Sequence, residues 1–260
     1  MGTKDQVLRM LEDQRDRQVS GARLAEELGV TRNAVWKAVE ALRAEGYVID
    51  AATNRGYRLA QENDLLSPAS IERFLPDGHP FGITVRKRVG STNAEARRRA
   101  LEGAPEGAVV VAEEQTAGRG RLGRQFVSPA GSGLYMSIVL HPDLPLERIS
   151  LLMLISAVSI CEALEHQCGI WPKIKWVNDV FIRGYKCAGI LTESSFSTCG
   201  SKPDFSVIGI GVNLKFDREA YPELADIAGG IWDETHHLPT RAQLAASILN
   251  AFEPWYDKLL

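Results

Sequence analysis

Three arginines alternate with glycines in Gly118-Arg119-Gly120-Arg121-Leu122-Gly123-Arg124, a pattern that strings cations along backbone with little side-chain bulk. The flanking stretches, Val109-Val110-Val111-Ala112 and Leu134-Tyr135-Met136-Ser137-Ile138-Val139-Leu140, are apolar and rich in β-formers, so the basic loop hangs between two predicted strands. Glycine makes such a loop costly to order, and the chemistry this suggests is a phosphate clamp that closes when an anion arrives. A solvated basic turn is the alternative, because charge runs commonly face water. The segment is no Walker A loop, since no Gly-Lys-Ser/Thr follows and it opens no helix.

Two further groups of polar residues stand out. Ser91-Thr92-Asn93 precede a predicted helix over 94–101 and serve either as caps or as ligand contacts. Lys175, Asn178, Asp179 and Lys186 are set in otherwise apolar predicted strands, 174–182 and 185–193, which Arg183-Gly184 joins as a hairpin. Buried cations require an anionic partner, so the lysines either meet a ligand or pair internally with an aspartate. In the predicted strand 205–214, Gly209 and Gly211 mark places where a ligand or backbone comes close.

The elements that must position these residues begin after a polar joint. Ser67 is a predicted N-cap with Pro68 at the first helical position, followed by a short helix over 69–75 and a strand over 83–89. The apolar run 149–160 is too short for the ~20 residues of a membrane span, and 149–167 reads as a buried helix packed on the sheet. The closing segment 240–260 is an amphipathic helix carrying Leu244, Ile248, Phe252 and Trp255, with a kink expected at Pro254.

Ahead of the joint the periodicity predicts helices over 4–14, 22–28 and 32–45, with Ser20 and Thr31 as caps and Gly29 and Gly46 as stops. Strands 47–50 and 57–59 around 51–56 then form a hairpin, giving a winged helix-turn-helix. Its third helix would place Thr31, Arg32, Asn33 and Lys37 near bases or phosphates, with Arg55 on the wing adding backbone contacts. A small helical bundle that binds protein is the alternative, and Trp36 fits either a base contact or the core. Residues 1–60 hold ten Lys or Arg against nine Asp or Glu, so DNA affinity would rest on placement and dimerisation. The domains expected are a winged helix over 1–62, a joint over 63–67 and a larger domain over 68–260.

Composition bounds the rest. A net charge of −3 excludes a protein that coats nucleic acid over its whole surface. The four cysteines show neither Cys-x-x-Cys pairing nor metal-ligand spacing, which suits a reduced cytoplasm, and the charged N-terminus excludes a secretory signal; with the run 149–160 too short to span, no membrane is expected among the partners.

In order and spacing, Ser91-Thr92-Asn93, the Gly118 to Arg124 motif, Lys175-Trp176-Val177-Asn178-Asp179, Lys186-Cys187-Ala188-Gly189-Ile190-Leu191 and Gly209-Ile210-Gly211-Val212-Asn213 resemble the biotin protein ligases. The winged helix in front makes the chain resemble the bifunctional bacterial type. The resemblance implies an α+β fold in which the winged helix joins a mixed-sheet biotin/lipoate-ligase-like domain. It implies formation of biotinyl-adenylate from biotin and ATP with Mg2+, transfer of biotin to a lysine of a carboxylase carrier domain, and repression at operator DNA as a homodimer promoted by the adenylate.

By position, the resemblance assigns biotin to Ser91, Thr92, Asn93, Gln115, Arg119, Gly120, Arg121 and Lys186. It assigns ATP and the adenylate to Arg121, Arg124, Phe126, Lys175, Asn178 and Asn213, catalysis to Arg119, Arg121, Lys186 and Asp179, and Mg2+ to Asp179. Phe126 stands where the family often has Trp, and Val177 replaces the usual Pro. Bifunctional members commonly continue into a small SH3-like β domain, whereas these residues end at Leu260, before it. The rival readings are a lipoate ligase or octanoyltransferase, whose triple-Gly signature is missing, and a biotin-sensing repressor without ligase activity.

Overall fold

The computed structural model describes residues 2–15, 17–52, 55–60, 63–197, 202–233 and 239–260. Thr53 and Asn54 at the expected hairpin tip, Gln61 and Glu62 before the joint, and Cys199 lie outside them. The chain divides into two compact units, Met1–Arg73 and Phe74–Leu260.

In the first unit, helices α1 (Thr3–Asp13), α2 (Gly21–Glu27) and α3 (Arg32–Ala44) precede the strands β1 (Ile49–Ala52) and β2 (Gly56–Leu59). The expected caps form: Ser20 Oγ accepts from Arg23 N at 3.1 Å and Thr31 Oγ1 from Ala34 N at 3.2 Å. Each satisfies one of the donors a helix start leaves over. Val7, Leu11, Leu24, Val35, Val39, Leu42 and Leu59 close the core, each contributing roughly 1.5–3 kcal/mol on burial. The hairpin pairs Ile49 with Leu59 and Ala52 with Gly56, two residues further along than the expected first strand. Gly56 has φ +101 and an added Cβ would lie 2.1 Å from Val19 O, so only glycine lets the wing cross the body there. Helix α4 (Pro68–Glu72) joins this unit, since Glu72 pairs with Arg9 and Arg73 Nη1 lies 3.2 Å from Glu12 Oε2 on α1. Burial pushes the Glu12 carboxyl above its ordinary value, with Arg15 and Arg73 acting against it.

The second unit is a seven-stranded mixed sheet flanked by helices, with strands β3 (Gly82–Arg86), β4 (Ala108–Ala112), β5 (Gly133–Leu140), β6 (Lys173–Lys175), β7 (Asp179–Ile182), β8 (Tyr185–Ser195) and β9 (Phe205–Asn213). Their order is β3-β4-β5-β9-β8-β7-β6. Among these named strands only β3 and β4 pair in parallel, and the crossover between them carries helix α5 (Thr92–Leu101), as a parallel connection requires. Ala96 and Ala100 of α5 pack on Val110, Val139 and Val207, the far end of one sheet face. Helices α6 (Ser150–Cys168) and α7 (Arg241–Leu259) pack against each other and the sheet. With both faces covered, β5 is buried along its whole length. Helix α6 has the length and apolarity of a membrane span; its Leu152, Ile155, Ile160 and Leu164 pack inside the unit. Helix α7 continues through Pro254.

One predicted element is corrected. Residues 174–182 do not form a continuous strand: the chain reverses at Trp176, Val177 and Asn178, and Lys175 of β6 faces Asp179 of β7. An apolar-polar alternation with Asn at its centre hides a tight turn, because Asn tolerates turn backbone. Asn178 is pinned there by Ile190 N donating to its carbonyl at 2.9 Å.

Candidate active site

The three polar residues at the start of α5 make no side-chain cap bond. Ser91 stands at the N-cap position without a side-chain cap bond, and Thr92 and Asn93 lie in the first turn. All three are buried, and the side chains of Thr92 and Asn93 bond to residues of the sheet. Gln115 Oε1 accepts from Thr92 N at 2.8 Å and Thr92 Oγ1 at 3.1 Å, while Gln115 Nε2 donates to Ser128 Oγ at 2.9 Å. Ser137 Oγ, in the middle of β5, lies 2.8 Å from Thr92 Oγ1 and 2.7 Å from Asn93 Oδ1.

Beneath them the sheet carries glycines, and their role differs from the expected approach of ligand or backbone. A Cβ on Gly209 would sit 2.1 Å from Asn93 Oδ1, and one on Gly211 would sit 2.6 Å from the Phe126 ring. The glycines therefore seat two side chains on the sheet. Gly209 faces Leu191 and Gly211 faces Gly189 across β8 and β9. Two residues of strand separate the seats of Asn93 and Phe126 by roughly 7 Å.

Above this floor the Gly-Arg loop folds into a narrow hairpin. Gly120 N donates to Arg124 O at 2.7 Å, Phe126 N donates to Gly118 O at 2.9 Å, and a single turn spans Arg121–Gly123. Arg119, Arg121 and Arg124 are exposed, and no carboxylate among the described residues pairs with them. Arg121 Nη1 reaches Asn178 Oδ1 at 3.2 Å, joining the loop to the β6–β7 turn. Lys186 Nζ lies 2.5 Å from Asp179 Oδ1, so without a ligand the internal pair forms. Lys175 Nζ sits 5.3 Å from the Phe181 ring centre.

These residues line one cavity of about 600 Å3, within the range of small-molecule sites. Ser91, Thr92, Asn93, Gln115, Arg119, Gly120, Arg121, Arg124, Phe126, Lys175, Asn178, Asp179, Lys186 and Asn213 all border it. Uncharged hydrogen-bonding groups gather where Asn93 is seated, and cations gather beyond Phe126.

Sequence reasoning missed the supports. Ser137 was visible as the one serine in the apolar run of β5, whereas Glu193, which accepts from Asn93 Nδ2 at 2.8 Å, lies beyond the motifs. Phe216, Leu224, Ile227 and Ala228 complete the wall, and Lys186 N donates to Ile227 O at 2.8 Å. No motif announces a wall of apolar loop residues. Below the floor, Arg241 is buried and pairs with Glu113 at 2.5 Å. Burial raises the Tyr135 hydroxyl to about 12, and it donates to Pro129 O at 3.0 Å.

In the first unit, Thr31, Arg32, Asn33 and Lys37 are exposed at the start of α3, as is Arg55 beside the hairpin. Trp36 is 51% exposed and lies outside the core. Arg43 turns inward to Ile49 O and Arg58 pairs with Asp50 at 2.8 Å, so neither belongs to the outward basic set.

Residues 85–213 match the Biotin/lipoate A/B protein ligase family, and residues 3–58 match a helix-turn-helix domain. The chain is 39% identical over 241 residues to the bifunctional ligase/repressor BirA of Bacillus subtilis, covering 92% of this chain and 73% of that protein. It is 33% identical over 203 residues to the biotin–[acetyl-CoA-carboxylase] ligase of Mycobacterium tuberculosis, covering 74% and 73%. Among solved structures, the biotin protein ligase from Aquifex aeolicus in complex with biotin and ATP matches with TM-score 0.58 and 33% identity, over 68% of this chain and 71% of that one. The fold, the winged helix and these relatives agree: the chain belongs to the family of bifunctional biotin protein ligases and repressors.

Proposed function

We propose that the cavity activates biotin with ATP and hands it to a protein lysine, and that the first unit carries the same chain to operator DNA. The observation that carries this reading is the polarity of one cavity, with neutral hydrogen-bonding groups around Thr92 and Gln115 and unpaired arginines at the loop. Biotin has the matching polarity: a ureido ring with two N–H donors and a carbonyl, and a carboxylate at the end of its chain.

The chemistry follows from charge. The carboxylate oxygen attacks the α-phosphorus of ATP, pyrophosphate leaves, and a mixed anhydride remains. Two anions must meet, so Lys186, Arg119, Arg121 and Arg124 lower the barrier by offsetting charge that grows in the transition state. Lys186 exchanges Asp179 for the ligand. Among the described residues no group of three or more His, Cys, Asp or Glu could hold a metal, and Asp179 is the single carboxylate on the cavity lining. One carboxylate suits an ion that travels on ATP phosphates, so Asp179 would hold Mg2+, which supplies further neutralisation of those phosphates when bound. No nucleophilic side chain is required, because the carrier lysine attacks the acyl carbon and AMP departs. The Gly-Arg hairpin covers the anhydride and keeps water from it. Phe126, seated on Gly211, offers a ring face to adenine.

In the cytoplasm the adenylate-bound chain pairs with a second copy, and Arg32, Asn33, Lys37 and Arg55 contact DNA. The test is incubation of this chain with biotin, ATP, Mg2+ and a biotin carrier domain. A mass gain of one biotin on the carrier lysine is expected. Labelling by lipoate in place of biotin would overturn the substrate assignment, and the same mixture without the carrier should shift an operator fragment.

A further inference from the structure

Asn93 is more than nine-tenths buried at the uncharged end of the cavity, yet its amide is already spent. Nδ2 donates to Glu193 Oε2 at 2.8 Å and to Leu191 O at 3.2 Å, which accounts for both of its N–H groups. Oδ1 is the partner of Ser137 Oγ at 2.7 Å, and it lies over Gly209, where a Cβ would come within 2.1 Å. The side chain thus spans three strands: Ser137 on β5, Gly209 on β9, and Leu191 and Glu193 on β8. A ligand could take an N–H from Asn93 only by displacing Glu193 or Leu191 O, two half-buried acceptors that already hold it.

We infer that Asn93 is a positioning residue, and that Glu193 and Ser137 fix it so that the first turn of α5 presents Thr92, and with it the bonded Gln115, to the ligand. The inference rests on the reading of this cavity as a biotin site. Glu193 acts through its acceptor oxygen, which sets which way the Asn93 amide points. Turned over, Asn93 would put its oxygen against the Glu193 carboxylate and Leu191 O, and its N–H groups toward Ser137. That arrangement would reverse the bond between them, Ser137 Oγ accepting from Asn93 where it now donates to Oδ1. Gly209 belongs to the same device, since any side chain there would lift Asn93 off the sheet.

The experiment measures KM for biotin, KM for ATP, kcat and Tm for the full chain and for Glu193→Ala, Glu193→Gln and Asn93→Asp with and without Glu193→Gln. Loss of the acceptor in Glu193→Ala is expected to raise KM for biotin about tenfold while KM for ATP stays put, and Glu193→Gln, whose Oε1 still accepts, restores most of it. Asn93→Asp sets two carboxylates together and does more damage than Glu193→Ala; adding Glu193→Gln, which can then donate, recovers activity. A lower Tm with an unchanged KM for biotin would mean a purely structural pair and would overturn the inference. Equal damage from Glu193→Gln and Glu193→Ala would overturn it too, by assigning the effect to charge. Failure of the unaltered chain to bind biotin would defeat the site reading first and this inference with it, and that outcome is read directly from the unaltered control.

Discussion

The two ends of the cavity solve recognition in opposite ways. Around Thr92, Asn93 and Gln115 the groups are bonded to one another before any ligand arrives: Thr92 and Asn93 are buried, Gln115 is half-buried, and they interlock through Ser128 and Ser137, with Asn93 seated on Gly209. Around Arg119, Arg121 and Arg124 the cations stand in solvent on a hairpin held by its own backbone, with one side-chain bond to Asn178. Neutral groups can be satisfied internally at little cost and still offer a remaining lone pair or donor, so that end is preorganised. Cations buried without an anion would be costly, so the other end waits in water for the phosphates.

The comparison makes ordered predictions. Lys186→Ala removes a cation aimed at developing charge and should slow biotinyl-adenylate formation about 10²–10³-fold, measured in a single turnover. Arg119→Ala should leave biotin affinity closer to normal while the adenylate leaks into solution; normal retention of adenylate by this variant would break the cover role of the loop. Gly209→Ala strikes the other end: forcing a Cβ against Asn93 costs roughly 1–3 kcal/mol and should raise KM for biotin about tenfold or more. Raising ionic strength from 0.05 to 0.5 M sharpens the contrast, since exposed cations are screened and buried neutral groups are not. KM for ATP should rise severalfold and KM for biotin should stay nearly fixed. The smallest effect on ligation is for Asn33→Ala, none, while its operator affinity falls about tenfold, the cost of losing one base contact.

Why the sequence revealed one end so readily is itself physical. Alternating Gly and Arg is a local pattern, legible without a fold, and so are the caps at Ser20 and Thr31 that locate the winged helix. The lysines and Asp179 were legible as polar groups in apolar surroundings, although the single strand expected for Lys175 and Asp179 proved to be a hairpin turning at Trp176 to Asn178. The preorganised end depends on register. Ser137, Gly209 and Glu193 meet at Asn93 only because β5, β9 and β8 lie side by side, and nothing local states that adjacency. Sequence also suggested capping for Ser91 to Asn93, a local role that the tertiary bonds to Gln115, Ser137 and Glu193 displaced.

The most direct measurement is single-turnover formation of biotinyl-adenylate by this 260-residue chain from biotin and labelled ATP with Mg2+, followed by addition of a carrier domain. Adenylate that forms, stays bound and then disappears as biotin appears on the carrier lysine is the expected result. Tight biotin binding without adenylate would contradict the ligase and leave a biotin-sensing repressor in its place.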